Sequence, residues 1–175
     1  MGPGNGRMST RLRRALYVHA ALLAACGGAS FAQGVYDDGT VRYRVGGVAS
    51  GWERVEVEDN DLAFTHQTLG TISVNSTCVD YEDVPEQALM NHLLFGMRER
   101  QYRLEETVTL DGRGALHAVV DLELDGVPLT LEIFVLKKDG CVYDMSLIAG
   151  RAAFEQARPA FASLVRGFEV LRTSL

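Results

Sequence analysis

Three Asp-Gly dipeptides constrain this chain more than any other feature. Asp111-Gly112, Asp125-Gly126 and Asp139-Gly140 separate four runs, 103–110, 115–124, 127–137 and 141–149, in which apolar and polar residues alternate. A period of two marks strands with one face toward a core, and Asp-Gly accepts the positive backbone angles of a tight hairpin turn. The stretch reads as an antiparallel four-stranded meander.

Register follows from charge and face. A two-residue loop at Asp125-Gly126 sets Leu124 opposite Val127 and Asp121 opposite Thr130, whereas a longer loop ending at Pro128 sets Asp121 against Glu132, a like-charge pair. The shorter loop is expected. At the last turn the choice reverses. A two-residue loop puts Tyr143, Met145 and Leu147 on the face of Glu132, while a three-residue loop, Lys138-Asp139-Gly140, aligns them with Val135, Ile133 and Leu131. The longer loop keeps one apolar face and is expected. That face then holds Leu104, Val108, Leu110, Leu116, Ala118, Val120, Leu122, Leu129, Leu131, Ile133, Val135, Tyr143, Met145 and Leu147, with Cys141. The opposite face mixes His117, Asp121, Glu123, Glu132 and Asp144 with Val119, Phe134, Leu136, Val142 and Ile148. Either the N-terminal strands or a loop cover its apolar end, or a partner does.

Upstream, Val41-Tyr43-Val45 is a short strand, 52–57 and 62–65 form a hairpin, and 70–78 is a strand whose Ile72, Val74, Ser76 and Cys78 share one face. A helix follows, with Asp83 as N-cap, Glu86 three residues on, and an apolar face of Leu89, Leu93 and Met97 running to about Arg98. Phe154, Phe161, Leu164, Val165, Phe168 and Leu171 keep helical spacing in a second helix that Pro159 bends or restarts. The fold class is α+β: an antiparallel sheet, the C-terminal meander plus N-terminal strands, packed by two main helices in one domain over 41–172.

Residues 1–25 read as a targeting segment: arginines, then an apolar run over 15–25 too short to cross a bilayer, which takes roughly 20 apolar residues. The better-proportioned signal starts at Met8. Leu23-Ala24-Ala25-Cys26 resembles the bacterial lipobox. The resemblance implies cleavage before Cys26 and a diacylglyceryl thioether on Cys26. It also implies an acylated amino terminus, with the acyl chains holding the domain to a membrane at about 0.8 kcal/mol per buried methylene. Residues 26–40 are then a lipidated tether, small and polar. The rival processing site is Ala29-Ser30-Phe31-Ala32, a small-x-small pattern ending at Ala32 that releases a soluble secreted protein.

Export changes the chemistry of the body. The chain carries 17 basic and 23 acidic residues, and removing Arg7, Arg11, Arg13 and Arg14 with the signal leaves 13 basic, near −10. That balance argues against a nucleic-acid partner. In an oxidising compartment Cys78 and Cys141, facing one core, are a candidate disulfide.

No sequence motif carries catalytic mechanics, and no cofactor or metal site is expected. His66, at a strand end, and His117, on the polar sheet face, are the histidines to watch for a carboxylate partner; His92 is a flank residue of the first helix. The element order, N-terminal strands, helix, four-stranded meander and terminal helix, resembles the PsbP/Mog1-like architecture over 41–172. That resemblance implies an accessory or interaction domain without catalysis and supplies no functional residues. The expectation is a membrane-anchored, periplasm-facing lipoprotein, not an enzyme, that binds a protein or another envelope component. The alternative is a carrier or sensor of a small apolar ligand.

Overall fold

The computed structural model describes residues 1–2, 28–58, 60–79 and 83–171. Residues 3–25 of the expected signal and Cys26 lie outside the described residues. All strand pairs are antiparallel and form two sheets. The smaller has the order β1-β2-β3-β11, built from β1 (Ser30–Ala32), β2 (Val35–Asp37), β3 (Arg42–Arg44) and β11 (Glu169–Val170). The larger has the order β4-β5-β6-β10-β9-β8-β7. Its strands are β4 (Glu53–Val55), β5 (Leu62–His66), β6 (Gly70–Thr77), β7 (Arg98–Leu110), β8 (Arg113–Leu124), β9 (Val127–Lys138) and β10 (Cys141–Gly150). Among the described residues two helices complete it, α1 (Glu86–Leu93) and α2 (Phe154–Arg166). The α+β class and the meander are as the sequence predicts.

The Asp-Gly pairs at 111–112, 125–126 and 139–140 form two-residue turns, with φ positive at both residues, as a type I′ turn requires. The β8–β9 register is the expected one: Leu124 faces Val127 and Asp121 faces Thr130. Pro128 lies one residue beyond the β9–β10 ladder, which ends at Leu129, so its missing N–H costs nothing on that side.

The expected three-residue loop at the last turn is wrong. Cys141 pairs with Lys138, so Tyr143 faces Leu136, Met145 faces Phe134 and Leu147 faces Glu132. The premise of a single apolar face fails because the large sheet is covered on both sides. One face carries Val119, Leu136, Tyr143, Met145, Leu147, Ile72 and Val74 and packs against Phe154, Phe161 and Leu164 of α2 and against Tyr36 and Tyr43 of the small sheet. The other carries Ala118, Val120, Leu122, Leu131, Ile133, Val135 and Val142 beneath Met90 and Leu94 of the α1 region. β8 and β9 are buried on both faces, which is why their apolar residues appear at odd and even positions alike.

Three further expectations need correction. The 26–40 stretch is not a plain tether: β1 and β2 form a hairpin inside it, with Phe31 edge-on to Phe64 at 6.0 Å between ring centroids. The hairpin has only two inward aromatic residues, too few to show a period. Helix α1 is capped by Pro85 with no side-chain hydrogen bond, not by Asp83, and it stops at Leu93; Gly96 then takes a positive φ and β7 begins at Arg98. Cys78 is exposed instead of core-facing, because β6 ends at Thr77 and the cysteine lies past the last paired residue.

Helix α2 runs through Pro159 as one element. Its C-terminal end meets the small sheet where Gly46 N–H donates to the Leu164 carbonyl at 2.9 Å.

Candidate functional site

Cys78 and Cys141 are bonded, with Cα atoms 4.1 Å apart. The bond continues the β6–β10 ladder by one step beyond the Thr77–Val142 pair and fixes the end of both strands.

His117, Asp121 and Glu132 form a polar layer under α2, while Asp144, expected on their face, lies on the other because the β10 register is shifted by one residue. His117 and Glu132 are buried, and Glu132 Oε1 lies 2.9 Å from His117 Nε2. Arg158 on α2 donates through Nε to Glu132 Oε2 at 2.9 Å, and Glu106 approaches His117 Nδ1 at 3.4 Å. The imidazole stacks on Phe134 at 4.0 Å with planes 7° apart. Burial raises the cost of the Glu132 charge, yet the hydrogen bonds from His117 and Arg158 outweigh it and hold the carboxyl below its usual range. Alongside, Asp121 accepts from Thr130 at 2.6 Å and from Arg103 at 2.8 Å. His117 therefore has a carboxylate on each nitrogen and a ring against one face, leaving no nitrogen for a substrate. His66 sits by Trp52, 5.6 Å between centroids, and receives the Thr68 N–H at its Nδ1; no carboxylate pairs with it among the described residues. No group of three or more His, Cys, Asp or Glu that could hold a metal occurs among the described residues.

Lys137 and Lys138, beside the last turn, both engage groups from other elements. Lys138 bridges to Asp111 at 2.6 Å, and Lys137 donates to the Val84 carbonyl at 3.0 Å.

A second polar cluster sits beneath the small sheet. Asp61 accepts from Ser76 at 2.5 Å and from Tyr43 at 3.1 Å. Burial pushes Asp61 up, and these hydroxyls restrain the rise; burial and the Asp61 charge also push Tyr36 up to about 12.

The remaining candidate lies on the α1 face. Helix α1 packs over β8 and β9, and a recess lies between it and the neighbouring strands β6 and β10. There the cross-strand pairs are polar: Ser73 with Ser146, hydroxyls 2.8 Å apart, and Asn75 with Asp144, where Asn75 Nδ2 donates to Asp144 Oδ1 at 3.0 Å. A recess of about 240 Å³ is bounded by Leu89, His92 and Leu93 on one side and by Asn75, Thr77, Val142 and Asp144 on the other. Burial pushes the Asp144 carboxyl up to about 6, against the smaller opposing effect of the Asn75 hydrogen bond. His92, read as a flank residue, stands at the rim. Asn75 and Asp144 were not singled out as site residues by the sequence, although the polar alternation Ser73-Asn75-Thr77 marks the flank.

The fold is similar to that of PsbP-like proteins of solved structure. Among solved structures, the chain resembles cyanobacterial PsbP (CyanoP) from Synechocystis sp. PCC 6803, with a TM-score of 0.54 and 16% identity over 85% of this chain and 99% of that one. It also resembles LpqN, involved in cell envelope biogenesis of Mycobacterium tuberculosis, with a TM-score of 0.57 and 13% identity over 75% and 86% of the two chains. A third likeness is PA94 of Pseudomonas aeruginosa, a protein of unknown function, with a TM-score of 0.52 and 11% identity over 85% and 100%. No protein-family model and no curated protein sequence matches the chain.

Proposed function

We propose that this chain is a lipid-anchored accessory domain of the bacterial envelope. Cys26 carries the lipid, the domain faces the periplasm, and its role is to bind a protein or another envelope component without catalysis. The observation that carries this reading is strand β1. Ser30–Ala32 pairs with β2, and Phe31 packs against Phe64 while Arg54 covers its ring at 5.3 Å. Processing after Ala32 would cut this strand out of the fold, whereas cleavage before Cys26 leaves it whole. Only Gly27, Gly28 and Ala29 then separate the lipid from β1, a reach of roughly 10–14 Å. The domain is held close to the bilayer. The likeness to LpqN points in the same direction.

Binding of a partner is favoured over carriage of an apolar molecule between sheet and helices. Met90, Leu94, Phe154, Phe161 and Leu164 fill those spaces and are all at most 1% exposed. Among the described residues no helix is long and apolar enough to cross a membrane.

Expression of the full chain in bacteria with a palmitate analogue tests the anchor. Label is expected on the wild type and not on Cys26→Ala, with the mature protein beginning at Cys26. Equal labelling of both forms, or a mature terminus at Gln33, would falsify the reading. Crosslinked envelopes that return no partner for wild type and Cys26→Ala alike would remove the accessory role.

A further inference from the structure

We propose that the recess beside α1 binds a small primary ammonium compound with a short branched aliphatic group, with Asp144 as its charge partner. The proposal does not depend on lipid at Cys26. Its first ground is the charge accounting of the acids that are substantially removed from solvent. Glu132 is matched by Arg158 at 2.9 Å, Asp121 by Arg103 at 2.8 Å and Asp111 by Lys138 at 2.6 Å. Asp61, with no cation partner among the described residues, is held by the Ser76 and Tyr43 hydroxyls. Asp144 has neither. Among the described residues its carboxylate receives one hydrogen bond, from the Asn75 amide, and no ion pair.

The second ground is the composition of the recess. Asn75 gives one amide N–H to Asp144, and its own Oδ1 is buried without a donor among the described residues. The floor thus presents a carboxylate and an unsatisfied amide oxygen, which suits a cationic donor and disfavours an anion. Leu89, Leu93 and Val142 supply apolar walls for an aliphatic group, and the Thr77 hydroxyl adds one more polar contact. One Asp144 oxygen is already engaged by Asn75. The free oxygen fits the single-point contact of an ammonium better than the two-pronged fork of a guanidinium. A metal ion is disfavoured by the ligand set, which offers one carboxylate and one rim histidine.

Other ionisable groups surround the site. His92 faces it from α1, Lys137 lies on the neighbouring β9 with its ammonium on the Val84 carbonyl, and Asp61 adds negative charge from across the sheet. Binding of an ammonium requires the Asp144 carboxylate, so affinity falls as Asp144 takes up its proton in mild acid.

The test is a nitrogen-15 NMR titration of the full chain in detergent with isobutylammonium chloride at about pH 8, with isobutanol and isobutyrate as controls of matched shape. Saturable shifts are expected at the amides of Asn75, Thr77, Leu93 and Asp144. Isobutanol should bind roughly tenfold or more weakly, and isobutyrate should give no saturable shift. Asp144→Asn, nearly the same shape, should lose about tenfold in affinity for isobutylammonium while keeping the rest of the spectrum. The wild type supplies a check independent of any variant: affinity should drop as pH falls through about 6, and His92→Gln should keep that drop. Absent saturation, equal binding of isobutanol, unchanged binding by Asp144→Asn, or a pH dependence that disappears in His92→Gln would each overturn the proposal.

Discussion

Arg158 closes the buried carboxylate of Glu132: its Nε donates to Oε2 at 2.9 Å while His117 Nε2 meets Oε1 at the same distance. This joins α2 to β8 and β9 by charge as well as by apolar packing. Removing Arg158 leaves Glu132 buried with only the imidazole. Because the Arg158 side chain is 41% exposed, solvent screens part of the loss. Arg158→Ala is expected to cost about 1–2 kcal/mol in urea unfolding near neutral pH. Glu132 is held below its usual range, so its stabilisation is present above about pH 4.3 and is lost as pH falls through its lower folded-state value. The difference between variant and wild type should therefore shrink below about pH 4. A difference that is flat with pH would show that the pair is not what ties the helix down.

Asp144 works with the opposite sign. Its carboxyl is pushed up to about 6, so the folded state holds the proton more tightly than the unfolded chain does. Its favourable contribution is complete below about pH 3.9 and is lost as pH rises through about 6. Asp144→Asn, which cannot ionise and keeps an acceptor for Asn75, should be more stable than wild type by about 1–2 kcal/mol at pH 8. The two should converge near pH 4. Urea midpoints for both forms across that range check it, and a variant less stable than wild type at pH 8 would sink the idea.

These two acids also mark how far the sequence can be read. The Asp-Gly turns and the Asp121–Thr130 register are legible because they are local, fixed by turn geometry and one cross-strand charge comparison. The register at Tyr143 is not, since choosing it required knowing that α2 and the small sheet cover the second face. Glu132, on a face whose cover the sequence left open, is capped by a residue from a later helix. The recess is hidden for a related reason. It depends on β10 pairing with β6, which brings together Asn75 and Asp144 from positions 69 apart, and no local pattern specifies that pairing. The disulfide was foreseeable as a pair of cysteines but not in place, because Cys78 lies beyond its strand.

Strand β1 should matter to stability. A chain beginning at Gln33 lacks the β1–β2 ladder and the contact of Phe31 with Phe64. Phe31 is half-buried, so its loss with the short ladder is expected to cost about 2 kcal/mol relative to a chain beginning at Gly27. Thermal or urea unfolding of the two forms measures this directly. Equal stability would mean that β1 is dispensable and would remove the structural argument against processing at Ala32.

Gly46 sits where the N-terminal segment crosses α2. A Cβ at this position would run into the Ser163 carbonyl oxygen, and the Gly167 backbone lies against the Gly46 backbone on the other side. Neither neighbour is a flexible side-chain end that can turn aside. Gly46→Ala is expected to cost about 3 kcal/mol or more and to weaken the hydrogen bond from Gly46 N–H to Leu164. Hydrogen exchange at Gly46 should accelerate ahead of exchange in β8 and β9. A variant as stable as wild type would contradict this close approach.

The Cys78–Cys141 bond closes a separation of 63 residues that contains α1 and most of the meander. Loops of this length lose on the order of 4 kcal/mol of unfolded-chain entropy when crosslinked, in the simplest model. The native ladder from Val142 opposite Thr77 to Ile148 opposite Thr71 does not need the bond to form. Reduction should therefore leave the folded spectrum largely intact while lowering the urea midpoint by the equivalent of about 2–4 kcal/mol. Cys78 is exposed, so a reductant can reach the bond without prior unfolding. The measurement pairs urea curves with and without reductant against the Cys78→Ser/Cys141→Ser double variant, which should match the reduced wild type and be insensitive to reductant. If alkylation of the exported protein without reductant labels both cysteines, the bond does not form in its native compartment, and this source of stability is absent.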